Sequence, residues 1–292
     1  MGKRALVYGG SGFLGSYVAD ELTAQKYAVT VFDKKKSPYL KAGQKFVQGD
    51  ILDFDQVRSA AKGFDVAYNF AGLADLNLAM KEPLLTVKLN ILGNTHVLEA
   101  CRAHKVGRFV YASSAYAFST KGSFYGVSKH SSEKIIEEYG KEFGLKYTIV
   151  RYGSVYGERA DEQNRIFRLV REAFSTGKIT FKGNGDEERE YIHGRDAAAL
   201  SVKILAPEYE SQHVMLTGIE RFKYRDLLAM IKEILNDKIK IELLSQNYKG
   251  HYLITPYSYH PTTSKKLVNN PYIDMGQGLL EIVANLDREK KR

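Results

Sequence analysis

The segment Gly9-Gly10-Ser11-Gly12-Phe13-Leu14-Gly15 follows a short apolar run, Ala5-Leu-Val-Tyr8, and opens a stretch in which Phe13, Leu14, Val18 and Leu22 fall on one helical stripe. It satisfies both Gly-x-Gly-x-x-Gly and Gly-x-x-Gly-x-x-Gly. Glycines so placed permit a tight turn and a close approach of backbone to a pyrophosphate. The helix start offers unpaired N–H groups and the positive end of its dipole, and Gly15 lets helix pack on strand. The chemistry this predicts is dinucleotide binding, through Gly9, Gly12, Phe13, Leu14 and Gly15. Asp33 ends the next β-rich run, where a carboxylate accepts hydrogen bonds from the adenosine ribose hydroxyls and favours NAD over its 2′-phosphorylated form. Lys34-Lys35-Lys36 follow at once; they read as a solvated turn, although they would offset part of the repulsion of a phosphate. Asp50, after the third run, suits either the adenine amino group or a plain turn.

A second constellation lies further along. Tyr125 and Lys129 are four residues apart at the start of a helical segment ending near Phe143, so their side chains share one face. They follow the fifth β-rich run and Ser113-Ser114, which brings them to the carboxyl edge of a parallel sheet, where a bound nicotinamide would lie.

The elements that must position these groups are legible as a rhythm. Ala5–Tyr8, Ala28–Phe32, Lys45–Gln48, Val66–Tyr68, Arg108–Tyr111 and Tyr147–Val150 read as strands, several apolar throughout, as strands covered on both faces must be. Between them Asp53 is placed to cap a helix through Lys62, and Leu84–Ala103 is a long amphipathic segment after Pro83. Strand alternating with helix implies right-handed crossovers and a doubly wound parallel sheet. After about residue 155 the rhythm breaks. Helices over 163–176, 194–206, 224–236 and 275–286 alternate with short strands near Ile179–Phe181, Glu190–Ile192, Val214–Leu216 and Ile239–Leu243. The expected organisation is α/β, with a dinucleotide-binding part over 1–155 and a smaller mixed α/β substrate part over 156–292, interleaved and without a linker.

Composition narrows the classes. In 292 residues, 44% are hydrophobic and 26% charged, which describes a globular chain with a sizeable core. No stretch approaches the ~20 apolar residues of a membrane-spanning helix, and the run after Lys3-Arg4 is too brief for a signal peptide, so a cytoplasmic protein is expected. A single cysteine, Cys101, excludes an intrachain disulfide and a cysteine-based metal site, and the scattered histidines predict no metal. The net charge of +9 is interspersed with acids, and neither nucleic-acid motifs nor interleaved aromatics accompany the lysine runs. Hydrolase elbows, Walker loops and His-Glu-x-x-His are absent.

The motifs together resemble the extended short-chain dehydrogenase/reductase family, with its Rossmann-like fold, and within it the NAD-dependent epimerase/dehydratase group and its UDP-galactose 4-epimerase-like members. The resemblance includes Tyr68-Asn-Phe-Ala-Gly-Leu73, Lys88-Leu-Asn-Ile-Leu-Gly-Asn-Thr95, Tyr111-Ala-Ser-Ser-Ala115, Tyr125-Gly-Val-Ser-Lys129, Arg151-Tyr-Gly-Ser-Val-Tyr-Gly157, Gly183-Asn-Gly185 with Arg189-Glu-Tyr-Ile-His193 and Asp196, and Thr263-Ser-Lys265. It implies that Ile51, Ala71 and Gly72 join the cofactor site, and that Tyr125 is the base, Lys129 its cationic partner and holder of the nicotinamide ribose, and Ser114 the group bonded to the reacting hydroxyl or ketone, with Ser113 beside it. Bringing a phenol from a pKa of ~10 to near ~7 takes roughly 4 kcal/mol of preferential stabilisation of the phenolate, which a nearby ammonium supplies.

The same resemblance implies a nucleotide-sugar substrate gripped at its diphosphate by Arg189, a homodimer formed through Leu84–Ala103 and the helix after Tyr125, and epimerisation at sugar carbon 4. Departures bear on the substrate. The acid pair of the 4,6-dehydratases is replaced by Ala115-Tyr116, which argues against elimination. The diphosphate-side asparagine is Ser154, and an Arg-Pro-Gly-Asp stretch is Tyr252-Leu-Ile-Thr255, leaving Arg165, Lys182 or Tyr259 to assist. A net dehydrogenase or ketoreductase uses the same tyrosine, lysine and serine, and a catalytically silent dinucleotide sensor is the alternative of another class.

Overall fold

The computed structural model describes residues 2–244 and 265–291. The first part runs β1 (Arg4–Tyr8), α1 (Phe13–Ala24), β2 (Ala28–Asp33), β3 (Lys45–Gln48), α2 (Phe54–Ala60), β4 (Val66–Asn69), α3 (Leu76–Lys81), α4 (Pro83–Val87), α5 (Gly93–Ala103), β5 (Arg108–Ser114), α6 (Ser123–Phe143) and β6 (Tyr147–Tyr152). There follow β7 (Ser154–Tyr156), α7 (Arg165–Thr176), β8 (Lys178–Lys182), β9 (Glu188–His193), α8 (Gly194–Lys203), β10 (Gln212–Leu216), β11 (Glu220–Lys223), α9 (Tyr224–Ile234), β12 (Lys240–Leu244), β13 (Lys265–Leu267) and α10 (Met275–Lys290).

Eight strands form one sheet in the order β13-β10-β6-β5-β4-β1-β2-β3, and all of its pairings are parallel. Parallel strands need helical crossovers, which cover both faces and explain why β1, β4 and β6 carry no polar alternation. On one face α1 and α8 bury Tyr17, Val18, Leu22 and Leu200 against β1, β2 and β10. On the other, α2, α5 and α6 bury Val57, Leu98 and Ile136 against Leu6, Phe109 and Ile149. The chain winds outward from β1 in both directions, so a crevice opens at the carboxyl ends of β1 and β4, the place where such sheets take ligands.

A third cluster is built by α7, α9 and α10 around Val170, Leu227 and Ile282. It packs with two small sheets, β11-β9-β7 and β12-β8. The later half does not stay there, because β6 would otherwise leave an open edge. β10 pairs with β6, β13 extends β10, and α8 returns to lie on α1. The smaller sheets begin with β7, and the chain beyond it serves both layers.

Local signals account for most boundaries. Asp53 caps α2 by accepting from the Gln56 amide, as its position predicts, and Asn164 caps α7 through the Phe167 amide. The expected single helix over Leu84–Ala103 is interrupted by a wider π-helical turn at Lys88–Leu92, where the Gly93 amide bonds to Lys88 O. Short α3, β7, β11 and β13 escape the sequence pattern because a few residues show no period.

Candidate active site

The glycine loop joins β1 to α1 as its spacing requires. Gly9 has φ +73, and a Cβ on it would lie 2.4 Å from the Ala71 amide nitrogen; a Cβ on Gly15 would lie 2.3 Å from Gly9 O. Backbone meets backbone at both places, so no side chain fits. Gly12 starts α1 with no side-chain cap, leaving the first-turn amides to whatever enters the crevice. Phe13 and Leu14, both partly buried, pack their side chains against the core. A cleft of about 260 Å³ lies over this turn, lined among others by Gly9, Gly12, Asp33, Ile51, Ala71 and Gly72. Phe32, Gly49, Phe70 and Leu89 also line it; only their places at strand ends and on the π turn would have singled them out.

Asp33 stands at the rim and accepts from the Ser11 amide at 3.1 Å, which ties β2 to the glycine loop. Lys34 reaches across to Asp50 at 3.0 Å, and the other Asp50 oxygen accepts from the Leu52 amide. Partial burial pushes the Asp50 carboxyl up, but that amide and the Lys34 ammonium outweigh it and hold the group below the usual range. Asp50 thus closes this turn and pairs with Lys34. A glycine cradle without room for Cβ atoms and a rim carboxylate fit a dinucleotide.

Tyr125 and Lys129 lie one turn apart on α6, both buried. The Lys129 ammonium donates to Ala112 O at 2.7 Å and sits 4.8 Å from the Tyr111 ring centre and 5.9 Å from that of Tyr125. Burial lowers its pKa to about 8, opposed by the Glu133 carboxylate one turn further along α6. Tyr125 packs with Leu73, Ala79, Leu76 and Tyr116.

The two serines part company. Ser114, at the end of β5, accepts from the Tyr116 amide at 3.2 Å, and the Tyr116 ring in turn meets that of Tyr125. Ser113 is grouped with it by sequence, but successive residues of a strand face opposite ways. Its hydroxyl donates to Glu133, which is fully buried and also receives Arg151 Nε at 3.0 Å and its terminal nitrogen at 2.7 Å. Ser113 thereby joins a buried ion pair between Glu133 and Arg151.

Arg189 and Arg165 converge from β9 and the first turn of α7 on one aromatic group. The Arg165 guanidinium lies 4.8 Å from the ring centres of both Phe181 and Tyr224, and that of Arg189 lies 5.7 Å from Tyr224. Arg189 is buried and donates to Glu188 O at 2.7 Å. Ser154 pairs with Tyr191 across β7 and β9. Lys182 is exposed at the end of β8. Tyr259 and Tyr252–Thr255 lie outside the described residues.

Sequence spacing gave no role to Asn90, and the π turn explains why it has one. Its side chain accepts from the Leu73 amide at 2.7 Å and donates to Leu73 O and to Ser128 Oγ, while its own carbonyl takes the Ser132 hydroxyl. One residue thus joins the loop over the cleft to the helix of Tyr125 and Lys129. Asn69 and Asn94 brace the same loop from below.

Among the described residues, one group brings metal-type ligand atoms together: Glu158, His193 and Glu281, with His193 Nε2 3.6 Å from each carboxylate. His193 Nδ1 accepts from the Arg195 amide as the cap of α8, which places the ring proton on Nε2, facing the carboxylates. At 3.6 Å neither carboxylate is within hydrogen-bond reach of that nitrogen, which has no partner of its own among the described residues.

Comparisons with known proteins agree with this fold. The model of the NAD dependent epimerase/dehydratase family matches residues 5–216. A UDP-glucose 4-epimerase of Lactobacillus helveticus is 28% identical over 243 residues, covering 74% of each chain. A UDP-N-acetyl-alpha-D-glucosaminuronate decarboxylase of Bacillus cytotoxicus is 24% identical over 269 residues, covering 82% of this chain and 83% of its own. The crystal structure of UDP-glucuronic acid 4-epimerase from Bacillus cereus, in complex with UDP-glucuronic acid and NAD, superimposes with a TM-score of 0.85 at 22% identity, over 98% of this chain and 99% of that one.

Proposed function

The chain belongs to the NAD-dependent epimerase/dehydratase family, and within it we propose a nucleotide-sugar epimerase that uses NAD and inverts the sugar at carbon 4. The observation that carries this reading is Ser114, Tyr125 and Lys129 gathered at the end of β5, next to a dinucleotide cleft, with Ala115 and Tyr116 following Ser114. NAD, when bound, supplies a hydride acceptor that is also a donor. The chain's residues serve the proton and the geometry. Tyr125 takes the proton of the sugar hydroxyl and later returns it. Lys129 stabilises the phenolate by its charge, in a site whose low polarity makes that charge count. Ser114 hydrogen-bonds the reacting oxygen as hydroxyl and as ketone.

Ala115 and Tyr116 provide no acid pair for elimination, so the keto sugar has no exit by loss of water. Arg189, with Arg165 beside it, anchors the diphosphate, a task guanidinium groups perform by paired hydrogen bonds. A sugar held by its diphosphate turns about those bonds and presents its other face. The missing acid pair argues against the elimination that dehydrating relatives carry out.

Pairing of two copies belongs to the same proposal. Leu84 and Val127, on α4 and α6, are 66% and 64% exposed, and Leu92 and Phe124 extend the same apolar surface. A homodimer through these helices covers it. The test of the function is proton NMR of a panel of UDP-hexoses incubated with the protein and NAD. Inversion at carbon 4 without accumulation of NADH is expected; stoichiometric NADH with a released keto sugar would make the protein a dehydrogenase.

A further inference from the structure

Tyr116 occupies a short 3-10 turn, Ala115–Phe118, between Ser114 and the start of α6. Its amide donates to Ser114 Oγ at 3.2 Å, and its ring meets that of Tyr125 edge-on, with centroids 6.2 Å apart and planes at 74°. The backbone around it has been cleared to allow this. Gly122 has φ +92, and a Cβ on it would lie 2.7 Å from Tyr116 Cδ1. A Cβ on Gly126, in the first turn of α6, would lie 3.0 Å from Tyr116 O. Gly122 and Gly126 thus let the turn close directly onto the helix that carries Tyr125.

On the epimerase reading of this site, we propose that Tyr116 is a positioning residue that sets the hydroxyls of Ser114 and Tyr125 relative to each other. Its amide acts on Ser114. A hydroxyl has a single proton to give, and with the Tyr116 N–H occupying one lone pair that proton points elsewhere, to the oxygen of the bound sugar. Ser114 is then a donor to the ketone when the sugar is oxidised, the polarity its reduction needs. The ring acts on Tyr125. Edge contact from Tyr116 on one side and packing from Leu73 and Ala79 on the other hold the phenol in one rotamer, on the same helix face as Lys129. Tyr116 needs no contact with the reacting atoms for either effect.

Two measurements test this. In hydrogen–deuterium exchange of the sugar-free protein, the Tyr116 amide is expected to exchange about tenfold faster in Ser114→Ala than in the wild type, because its acceptor is gone. Equal exchange in the two overturns the proposal. In steady-state kinetics on a sugar the wild type turns over, Tyr116→Ala is expected to lose roughly 10- to 100-fold in kcat with KM within about threefold, and Tyr116→Phe to restore kcat to within about threefold of wild type. A phenylalanine variant as slow as the alanine one, or a rise in KM at unchanged kcat, overturns it. The exchange arm uses no sugar, so absence of turnover in the wild type would count against the epimerase reading while exchange still decides the role of Tyr116.

Discussion

The dinucleotide cleft and the arginine group of the smaller layer are built by different means. At the cleft the contacts are main chain: Gly9 against the Ala71 amide, Gly15 against Gly9 O, the Ser11 amide on Asp33. Around Tyr224 they are side chains brought from separate elements, with Arg165 from α7, Phe181 from β8 and Arg189 from β9. A backbone cradle admits few residue types and so leaves a fixed spacing. A side-chain cradle is re-made readily with other residues, so it leaves none. The first kind identifies the cofactor, and the second is where the proposed function puts the choice of substrate.

The sharpest break in that comparison comes from the chemistry between the two regions. Tyr125→Phe removes a hydroxyl and creates no cavity, so folding and NAD binding should survive while turnover falls by roughly 10² to 10⁴, the range for loss of a general base. Isothermal titration with NAD alongside rate assays checks both halves. On the cleft side, Gly15→Ala should lower NAD affinity at least about tenfold and destabilise the chain by roughly 1–3 kcal/mol, since the added methyl meets a carbonyl 2.3 Å away that cannot yield without moving the loop. On the arginine side, Arg189→Ala should raise KM for the nucleotide sugar by roughly 10- to 100-fold and leave NAD affinity unchanged. If NAD binding falls with Arg189→Ala, the two regions are not separable in this way.

Lys129 sharpens the comparison because its charge serves the site at the expense of the fold. Its folded pKa is about 8, below the ~10.4 of an unfolded lysine. Between those values the unfolded chain binds more protons, so this group makes stability rise with pH across that window and imposes a constant penalty below it. Lys129→Met should therefore stabilise the cofactor-free protein by about 1–3 kcal/mol near pH 7, with the gain shrinking toward pH 10, as urea unfolding would report. The same variant should bind NAD more weakly. The smallest effect is expected at the helix surface: Leu84→Glu with Val127→Glu should convert a dimer to a monomer by light scattering with little loss of Tm.

Most of the large sheet was legible because strands covered on both faces must be apolar throughout and are separated by helices of clear period. The return of β10 and β13 to that sheet was not, since a three- to five-residue strand in an open edge carries no sign of which edge it joins. The glycine loop and Asp33 could be named from spacing, while the family resemblance was what singled out Tyr125, Lys129 and Ser114 as candidates. The bond from Ser113 to Glu133 was not legible, because only the strand's pleat, together with buried Glu133, shows which way that hydroxyl turns. Asn90 has no motif of its own; its contacts depend on the π turn that lets it reach Leu73 and Ser128 together. Arg165 was named only as a substitute anchor, since Phe181 and Tyr224 meet it only after α7, β8 and α9 have packed.

The central claim is that a sugar carbon is oxidised and reduced within one site, with Tyr125 handling only the hydroxyl proton. UDP-hexose carrying deuterium on carbon 4, incubated with the protein and NAD in ordinary water, tests it most directly by NMR and mass spectrometry of the product. The expected result is inversion at carbon 4 with the deuterium still on that carbon and no NADH released. Loss of the label to solvent, or its accumulation in NADH beside a free keto sugar, would contradict the account.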